Sequence, residues 1–369
     1  MHLQKLILEN FRNHGKLELT FSEENPVTYI VGPNAQGKTN LLESIYLLAL
    51  TKSFRTHNHE DLINWHQDFA RVTGIFGAEN IRLEIFLGRS PNPPKVLKKN
   101  KVKTTGANFM GTCQVVFFHP EDLNMLYLGP DLRRAYLNTL NVQINKNYFT
   151  ALKNYQKVLR QRNALLYAIK QGTHKKSDLE IWDEQLVENG TLLMSERAKT
   201  IDFFNHHITE YYRQISEGDE QVSLSYQDTV GVAGRASSIA YRKALAQALP
   251  RDLQSGHTSV GPHRDEILFL LNNKPLQAHA SRGEYRSLIL ALKLLELKFF
   301  EEQSGRKPLL LLDDVFSELD LSRQKMLLQA TQTHQTIITT THLDNWLQDR
   351  AHKGLTLSLL SKVENIAEV

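Results

Sequence analysis

Gly32-Pro33-Asn34-Ala35-Gln36-Gly37-Lys38-Thr39-Asn40 stands between two segments of different periodicity. Before it runs Val27-Thr-Tyr-Ile-Val31, a short apolar run of strand type, and after it Leu41-Leu-Glu-Ser-Ile-Tyr-Leu-Leu48, whose spacing is helical. A strand that ends in a glycine-rich loop and re-enters as a helix aims backbone N–H groups and the first unpaired helix amides at one point. An anion there satisfies them. In such a cradle the ammonium of Lys38 reaches β- and γ-phosphates, and the hydroxyl of Thr39 sits on Mg²⁺. Four constrained positions recur by accident in roughly one chain in a hundred of this length, and the flanking strand and helix make accident rarer. The chain is therefore expected to build an α/β core around a nucleoside triphosphate.

A second cluster lies near the other end. Leu309-Leu-Leu-Leu312 closes on Asp313-Asp314, the pattern of a buried parallel strand presenting acids at its C-terminal edge. Asp313 is expected to hold Mg²⁺ through water and Asp314 to orient or deprotonate an attacking water. Ser317-Glu-Leu-Asp320 follows. Thr336-Ile-Ile-Thr-Thr-Thr341 is another strand-like run and ends at His342, either a γ-phosphate sensor or a structural histidine. Ala280-Ser281-Arg282-Gly283-Glu284 leads into the strongly helical Leu288–Leu297, a further helix start suited to an anion. Taken alone this last segment is an ordinary capped helix, but it precedes Asp313 by 32 residues. The order of cradle, serine-glycine segment, double acid, Ser317 to Asp320 loop and histidine is similar to that of the ATP-binding cassette class. That similarity implies that Ser281, Arg282 and Gly283 cap the γ-phosphate held by a second copy, because they cannot reach the nucleotide of their own chain.

The full set of motifs resembles the RecF family, recombination mediators related to the SMC-like chromosome and repair ATPases. The residues that carry the resemblance are Leu8-Glu-Asn-Phe11-Arg12-Asn13, the cradle with Asn40-Leu-Leu-Glu43, Lys52-Ser-Phe-Arg55-Thr and Pro120-Glu-Asp-Leu123. They continue with Gly129-Pro-Asp-Leu-Arg133-Arg134, Gln161-Arg-Asn163, Gly261-Pro-His-Arg264-Asp265, the Ser281 segment and Asp313-Asp-Val-Phe-Ser-Glu-Leu-Asp320. Arg282 and Glu284 stand where glutamine is often found in the family, so Arg282 either adds a cation at the γ-phosphate or faces solvent. The resemblance implies a P-loop cassette-type ATPase head, a central mixed sheet with helices and an antiparallel subdomain, interrupted by a mainly helical lobe. It implies ATP with Mg²⁺, an approach of Arg12 to the base or ribose, and binding of double-stranded DNA at single-strand gaps. It also implies RecR and RecO as partners in loading RecA during replication, repair and the SOS response.

Composition agrees with a soluble cytoplasmic protein. Hydrophobic residues make up 41%, and no apolar run approaches the ~18 residues of a membrane span. Cys113 is the one cysteine, which excludes an internal disulfide and fits a reducing compartment. Its expected role is a buried small hydrophobe. A formal charge of +4 is mildly basic and compatible with a polyanion. His57 with His59, and His206 with His207, lack a third ligand at zinc spacing.

The chain reads as two interleaved lobes, a head over 1–125 and 258–369 and an insertion over 126–257. Leu3–Leu8 and Leu17–Phe21 suggest antiparallel strands feeding a central sheet. Ile81, Leu83, Ile85 and Leu87 fall on alternate beats before the break Ser90-Pro-Asn-Pro-Pro94. From Asp131 to Tyr212 there is no proline, and apolar residues recur at three- and four-residue steps until Gly172 interrupts them. Two or more antiparallel helices of about 25–35 residues, a short arm ~40–50 Å long, are expected. The cradle and the Ser281 segment lie 242 residues apart, too far for a compact transporter cassette and too close for very long coiled-coil arms.

The mechanism implied is an ATP-dependent homodimer with two composite sites, closed by the γ-phosphate and opened by slow, DNA-stimulated hydrolysis. Lys98, Lys99 and Lys101, in a lysine cluster with Lys95 and Lys103, together with Arg160 and Arg162 on the arm, are the candidate contacts to DNA phosphate. A cassette ATPase serving a membrane or other partner is the competing class, against which the helical insertion and basic clusters weigh. A small-substrate P-loop kinase or GTPase is a third, and the chain carries the Ser281 segment and no Asn-Lys-x-Asp guanine-reading segment.

Overall fold

The computed structural model describes residues 2–231, 237–341 and 355–358. They divide into two compact units, one of residues 1–122 with 286–369 and one of residues 123–285.

In the first unit a five-stranded parallel sheet runs in the order Leu355–Ser358, Val27–Val31, Thr336–Thr340, Leu309–Asp313, Val115–Phe118. Parallel strands are covered on both faces, so their sequences are apolar without alternation. Leu309 to Leu312 are accordingly at most 1% exposed. The helix Lys38–Leu50 is buried over nearly its whole length, as a helix apolar on all sides must be.

The other sheet of this unit is antiparallel and six-stranded, in the order His14–Thr20, Leu3–Phe11, Phe69–Phe76, Ile81–Gly88, Lys95–Lys99, Val102–Lys103. Leu83, Ile85 and Leu87 are fully buried, the alternation expected of a strand with one inward face. Leu3–Phe11 pairs with His14–Thr20 on one side and with Phe69–Phe76 on the other, so the first two strands belong to this sheet. Of the described residues before Gly32, only Val27–Val31 enters the parallel one. Asn100 and Lys101, at φ 52° and 67°, turn the Lys95–Lys99 strand back onto Val102–Lys103.

The second unit carries the helices Pro130–Ile144, Lys146–Lys170, Glu180–Ser216 and Ser238–Ser255. Three of these starts have a local cause. Pro130 occupies the first turn, and the side chains of Asn145 and Ser237 accept the first free amides of the helices that follow them. Gly172, at φ 76°, sits in the turn before Glu180–Ser216.

The 25- and 37-residue helices run antiparallel, since Asn145 donates to Glu196 and Arg162 to Asp183. At 1.5 Å per residue they are about 38 and 55 Å long, the second longer than the periodicity suggested. Leu179, Leu186, Leu193, Ile201, Phe204, Ile208 and Tyr212 are the buried stripe of the longer one with its lead-in turn, and Tyr148, Tyr155 and Leu166 belong to the shorter. A three-stranded antiparallel sheet, Val222–Gln227, Glu266–Leu271 and Lys274–Pro275, completes the unit.

Arg162 belongs to this core and is not available to DNA phosphate. It is fully buried, its Nε 2.6 Å from Asp183 and its Nη1 2.9 Å from Asp252, with a further hydrogen bond to Thr258. Sequence gave it as a surface cation because its neighbours are polar, but the helical turn carries it to the inner stripe with Tyr155, Val158 and Leu166. Arg162→Ala leaves the buried Asp252 carboxylate without its counter-charge. It is expected to cost roughly 3–5 kcal/mol, read as a fall in urea midpoint at unchanged slope.

The Gly261-Pro-His-Arg-Asp265 motif is also internal to this unit. Gly261 has φ +119°, and a Cβ there would stand 2.0 Å from the Tyr241 hydroxyl. His263 accepts or donates at 2.7 Å with Tyr155, and burial lowers its pKa to about 4, so the ring is neutral near pH 7. Asp265, fully buried, receives the amide of Thr229 and the hydroxyl of Tyr226. These contacts give the motif a structural role.

Candidate functional site

The cradle is shaped by its backbone. Ala35 and Gly37 take φ of +67° and +95°, and a chain that alternates hand in this way turns successive N–H groups toward one concavity. Gly37 has no substitute: a Cβ on it would meet the Asn13 amide at 2.5 Å and His14 Nε2 at 2.8 Å. Asn13 donates to the carbonyl of Gln36 at 3.2 Å, and His14 lies 3.2 Å from that of Gly37, so the first hairpin buttresses the loop from outside. Burial lowers the pKa of His14, which keeps that ring neutral at pH 7.

Lys38 opens the helix and folds its ammonium back over the loop, 2.6 Å from the carbonyl of Gly32 and 2.8 Å from that of Pro33. At 8% exposure it is held in the mouth of the cradle. Thr39 donates its hydroxyl to Asp313 at 3.0 Å, and Thr339 does so from the intervening strand at 2.7 Å. Asp314 sits at φ 51°, ψ 28°, its amide bonded to the Thr339 carbonyl at 3.1 Å. A cavity of about 290 Å³ is lined by Asn34, Ala35, Gly37, Lys38, Thr39, Asn40, Arg55, Asp313 and Asp314. Residues 274 positions apart in sequence thus line one cavity.

Thr39 and Asp313 present a hydroxyl and a carboxylate, the hard oxygens Mg²⁺ prefers, and Mg²⁺ commonly keeps several waters beside one or two protein ligands. The residues fit that ion. Among the described residues there is no cluster of three histidine, cysteine or acidic side chains that could hold another metal, and no helix long and apolar enough to cross a membrane. Cys113 is buried and its thiol pKa is pushed up to about 12 by that burial, as a packing residue's should be.

Behind the cradle Arg12, expected at the base or ribose, forms a buried ion pair with Glu43, which sequence reasoning left without a role. Glu43 is fully buried and takes two hydrogen bonds from Arg12, at 2.9 and 2.8 Å, and one from the Ser53 hydroxyl. Arg12 also donates to the carbonyl of Asp61 at 2.8 Å, and Arg55 donates to Asn40 at 2.8 Å. Segments 12–13, 40–43, 53–55 and 61 are thereby tied into one wall. The signal was present: an acid inside an otherwise apolar helical run must find a cation.

The Ser281 segment starts the helix Arg282–Ser304. Ser281 Oγ accepts the amide of Glu284 at 3.3 Å, and the Ser281 amide donates to the Glu284 carboxylate, a reciprocal cap that explains the acid at this position. Ser281, Arg282 and Gly283 are exposed. Asp320 caps the helix Leu321–Thr331 by accepting the Arg323 amide at 3.0 Å. Ser317 lies in the short turn Val315–Glu318. His342 lies outside the described residues.

The lysine cluster is uneven. Lys98 is 2.9 Å from Glu84, a carboxylate whose pKa is lowered, against the opposing effect of its burial, by hydrogen bonds from Lys98 and Arg82. Lys99 donates to Thr112. Lys101 and Lys103 are exposed. On the arm, Lys153, Lys157 and Arg160 are exposed at helical spacing, and the 25-residue helix that bears them contains no acid.

A family model described as RecF/RecN/SMC N terminal domain matches residues 2–358. A DNA replication and repair protein RecF of Halalkalibacterium halodurans is 38% identical over 349 residues, 93% of this chain and 94% of the relative. One from Clostridium botulinum is 36% identical over 355 residues, 95% and 97% of the two chains. Among solved structures, the recombination mediator protein RecF-ATP in the RecFOR pathway superposes with a TM-score of 0.84 at 35% identity, covering 93% of this chain and 94% of that one. An Smc head bound to the C-winged helix domain of ScpA, at TM-score 0.53 and 16% identity over 95% and 91% of the two chains, shares the fold.

Proposed function

Since the chain belongs to the RecF family of DNA replication and repair proteins, we propose that it is an ATP-driven switch that binds double-stranded DNA as a dimer. The observation that carries this reading is the cavity in which the cradle, Thr39, Asp313 and Asp314 converge. The loop amides and Lys38 bind the β- and γ-phosphates, and Thr39 with Asp313 holds Mg²⁺, which when bound neutralises phosphate charge. Asp314 takes the proton of the water that attacks the γ-phosphorus, the bond to the β–γ bridging oxygen breaks, and ADP leaves with phosphate.

Ser281, Arg282 and Gly283 of one protomer cap the γ-phosphate held by its partner, with Ser317 and Asp320 in the loop between the sites. Their exposure at a capped helix start supports this assignment. ATP then closes the dimer and hydrolysis opens it, so that turnover is slow and paced by the change of state. His342 is the proposed γ-phosphate sensor. The head is proposed to be the unit of 1–122 with 286–369 and the arm lobe the unit of 123–285, in place of the expected 1–125 with 258–369 and 126–257, because Glu266–Leu271 pairs with Val222–Gln227; the protein is proposed to be cytoplasmic.

The DNA contacts are assigned to Lys101 and Lys103 of the hairpin and to Lys153, Lys157 and Arg160 of the arm. An acid-free helix face with three exposed cations suits a phosphate backbone, read without regard to sequence. RecR with RecO is the proposed partner at single-strand gaps, in keeping with the pathway named for the solved relatives.

Duplex binding, measured by fluorescence anisotropy across a salt series, tests the reading. ATP is expected to tighten binding, and changing Lys153, Lys157 and Arg160 together to Ala to flatten the salt dependence by about three contacts. Duplex affinity indifferent to ATP would overturn the switch, and an unchanged slope in the triple variant would remove the arm from the DNA surface.

A further inference from the structure

Thr336–Thr340 is the central strand of the parallel sheet, and all five of its residues are buried. A strand covered on both faces is ordinarily rich in Val and Ile, and a hydroxyl placed there costs free energy unless it finds a partner. Thr336 turns its hydroxyl back on its own chain, 3.0 Å from the carbonyl of His334. Thr339 reaches across to the acidic strand instead.

Thr339 stands opposite Asp313 in the register of the two strands. Its hydroxyl donates to Asp313 Oδ1 at 2.7 Å, with the Leu312 carbonyl a longer alternative at 3.4 Å. Thr39 donates to the same carboxylate oxygen at 3.0 Å. Two donors fill the lone pairs of Oδ1. Oδ2 takes no hydrogen bond among the described residues, and it is the oxygen left for the water shell of Mg²⁺. Thr339 is fully buried and β-branched, so close packing fixes the direction of its hydroxyl. Its backbone carbonyl meanwhile accepts the amide of Asp314 at 3.1 Å. One residue of the central strand thus holds the carboxylate of the first acid and the backbone of the second.

We propose that Thr339 is a positioning residue of the ATPase, which locks the Asp313 carboxylate in the orientation that receives hydrated Mg²⁺. Thr39 alone does not fix it, because the oxygen of its hydroxyl is itself called to the metal. A carboxylate free to rotate about its last torsion would have to be ordered as the ion arrives, at a cost in entropy. The proposal rests on Thr39 and Asp313 holding Mg²⁺, and the test separates the two.

The full chain and its Thr339→Val, Thr339→Ser and Thr336→Val variants are titrated with ATP by calorimetry, across a Mg²⁺ series and in EDTA. Valine keeps the shape of the side chain and removes the donor. Thr339→Val is expected to raise the Mg²⁺ concentration needed for half of the metal-dependent gain in ATP affinity by about tenfold or more, the usual loss when an outer partner of a metal ligand is removed. Its ATP affinity in EDTA and its urea midpoint should not fall. Thr339→Ser, which keeps the hydroxyl, restores most of the Mg²⁺ dependence, and Thr336→Val matches the wild type. A Thr339→Val protein with wild-type Mg²⁺ dependence overturns the inference and leaves the metal site standing. One that does not fold, or that loses ATP affinity equally with and without Mg²⁺, makes Thr339 a structural residue and also overturns it. A wild-type chain whose ATP binding is indifferent to Mg²⁺ overturns the metal site and the positioning role together.

Discussion

Lys38→Met is expected to abolish ATP binding at accessible concentrations. The ammonium is one of two positive charges lining the cavity, beside Arg55 and opposite Asp313 and Asp314, and the one folded back over the loop itself. Two charge-assisted contacts to phosphate oxygens, each worth about 1.5–3 kcal/mol, correspond to roughly a hundred- to ten-thousandfold in affinity. The variant also leaves the carbonyls of Gly32 and Pro33 without the donor they now share. Lys38→Arg is the informative companion. It keeps the charge but replaces a compact head with a planar fork too large for two loop carbonyls less than 3 Å from Nζ. Calorimetry with MgATP should show no heat for Met and weakened or unproductive binding for Arg. Wild-type affinity in Lys38→Met would place the triphosphate elsewhere.

Asp314→Asn is expected to do the opposite to the bound state: ATP binds, hydrolysis falls by a hundred- to ten-thousandfold through loss of the base, and the protein accumulates as a dimer. The backbone favours a clean result. Asp314 sits in the left-handed region, which asparagine adopts as readily as aspartate, and its amide bond to Thr339 does not involve the side chain. Phosphate release and light scattering at saturating ATP check the two halves. A variant that stays monomeric with ATP bound would show that the γ-phosphate does not hold two chains together. Asp313→Asn should differ, since Asp313 receives both Thr39 and Thr339, and its loss should impair Mg²⁺-dependent binding itself.

Much of the site was legible because it is local. A cradle is made by consecutive backbone amides, so the residues that shape it are neighbours in the chain, and their types report left-handed positions and a helix start directly. The same holds for the alternation of Leu83, Ile85 and Leu87, and for the apolar run that ends in two acids. Arg162 shows where locality fails. Its polar surroundings in sequence say surface, whereas the counter-charges that bury it, Asp183 and Asp252, come from two other helices. Glu43 was visible as an anomaly, yet Arg12 and Ser53 lie 31 and 10 residues away.

Order of residues along the chain therefore determined that this protein would hold a phosphate at a strand-to-helix turn, present two acids at the end of a buried strand and carry an inserted helical arm. Only the tertiary structure decided that one strand, Thr336–Thr340, separates the cradle strand from the acidic one, which brings Thr39 within 3.0 Å of Asp313. It also decided which cations are spent inside. Backbone shape is set by short-range sterics and reads out residue by residue. Pairing between distant strands and between buried charges is set by what packs against what, which no window along the sequence contains.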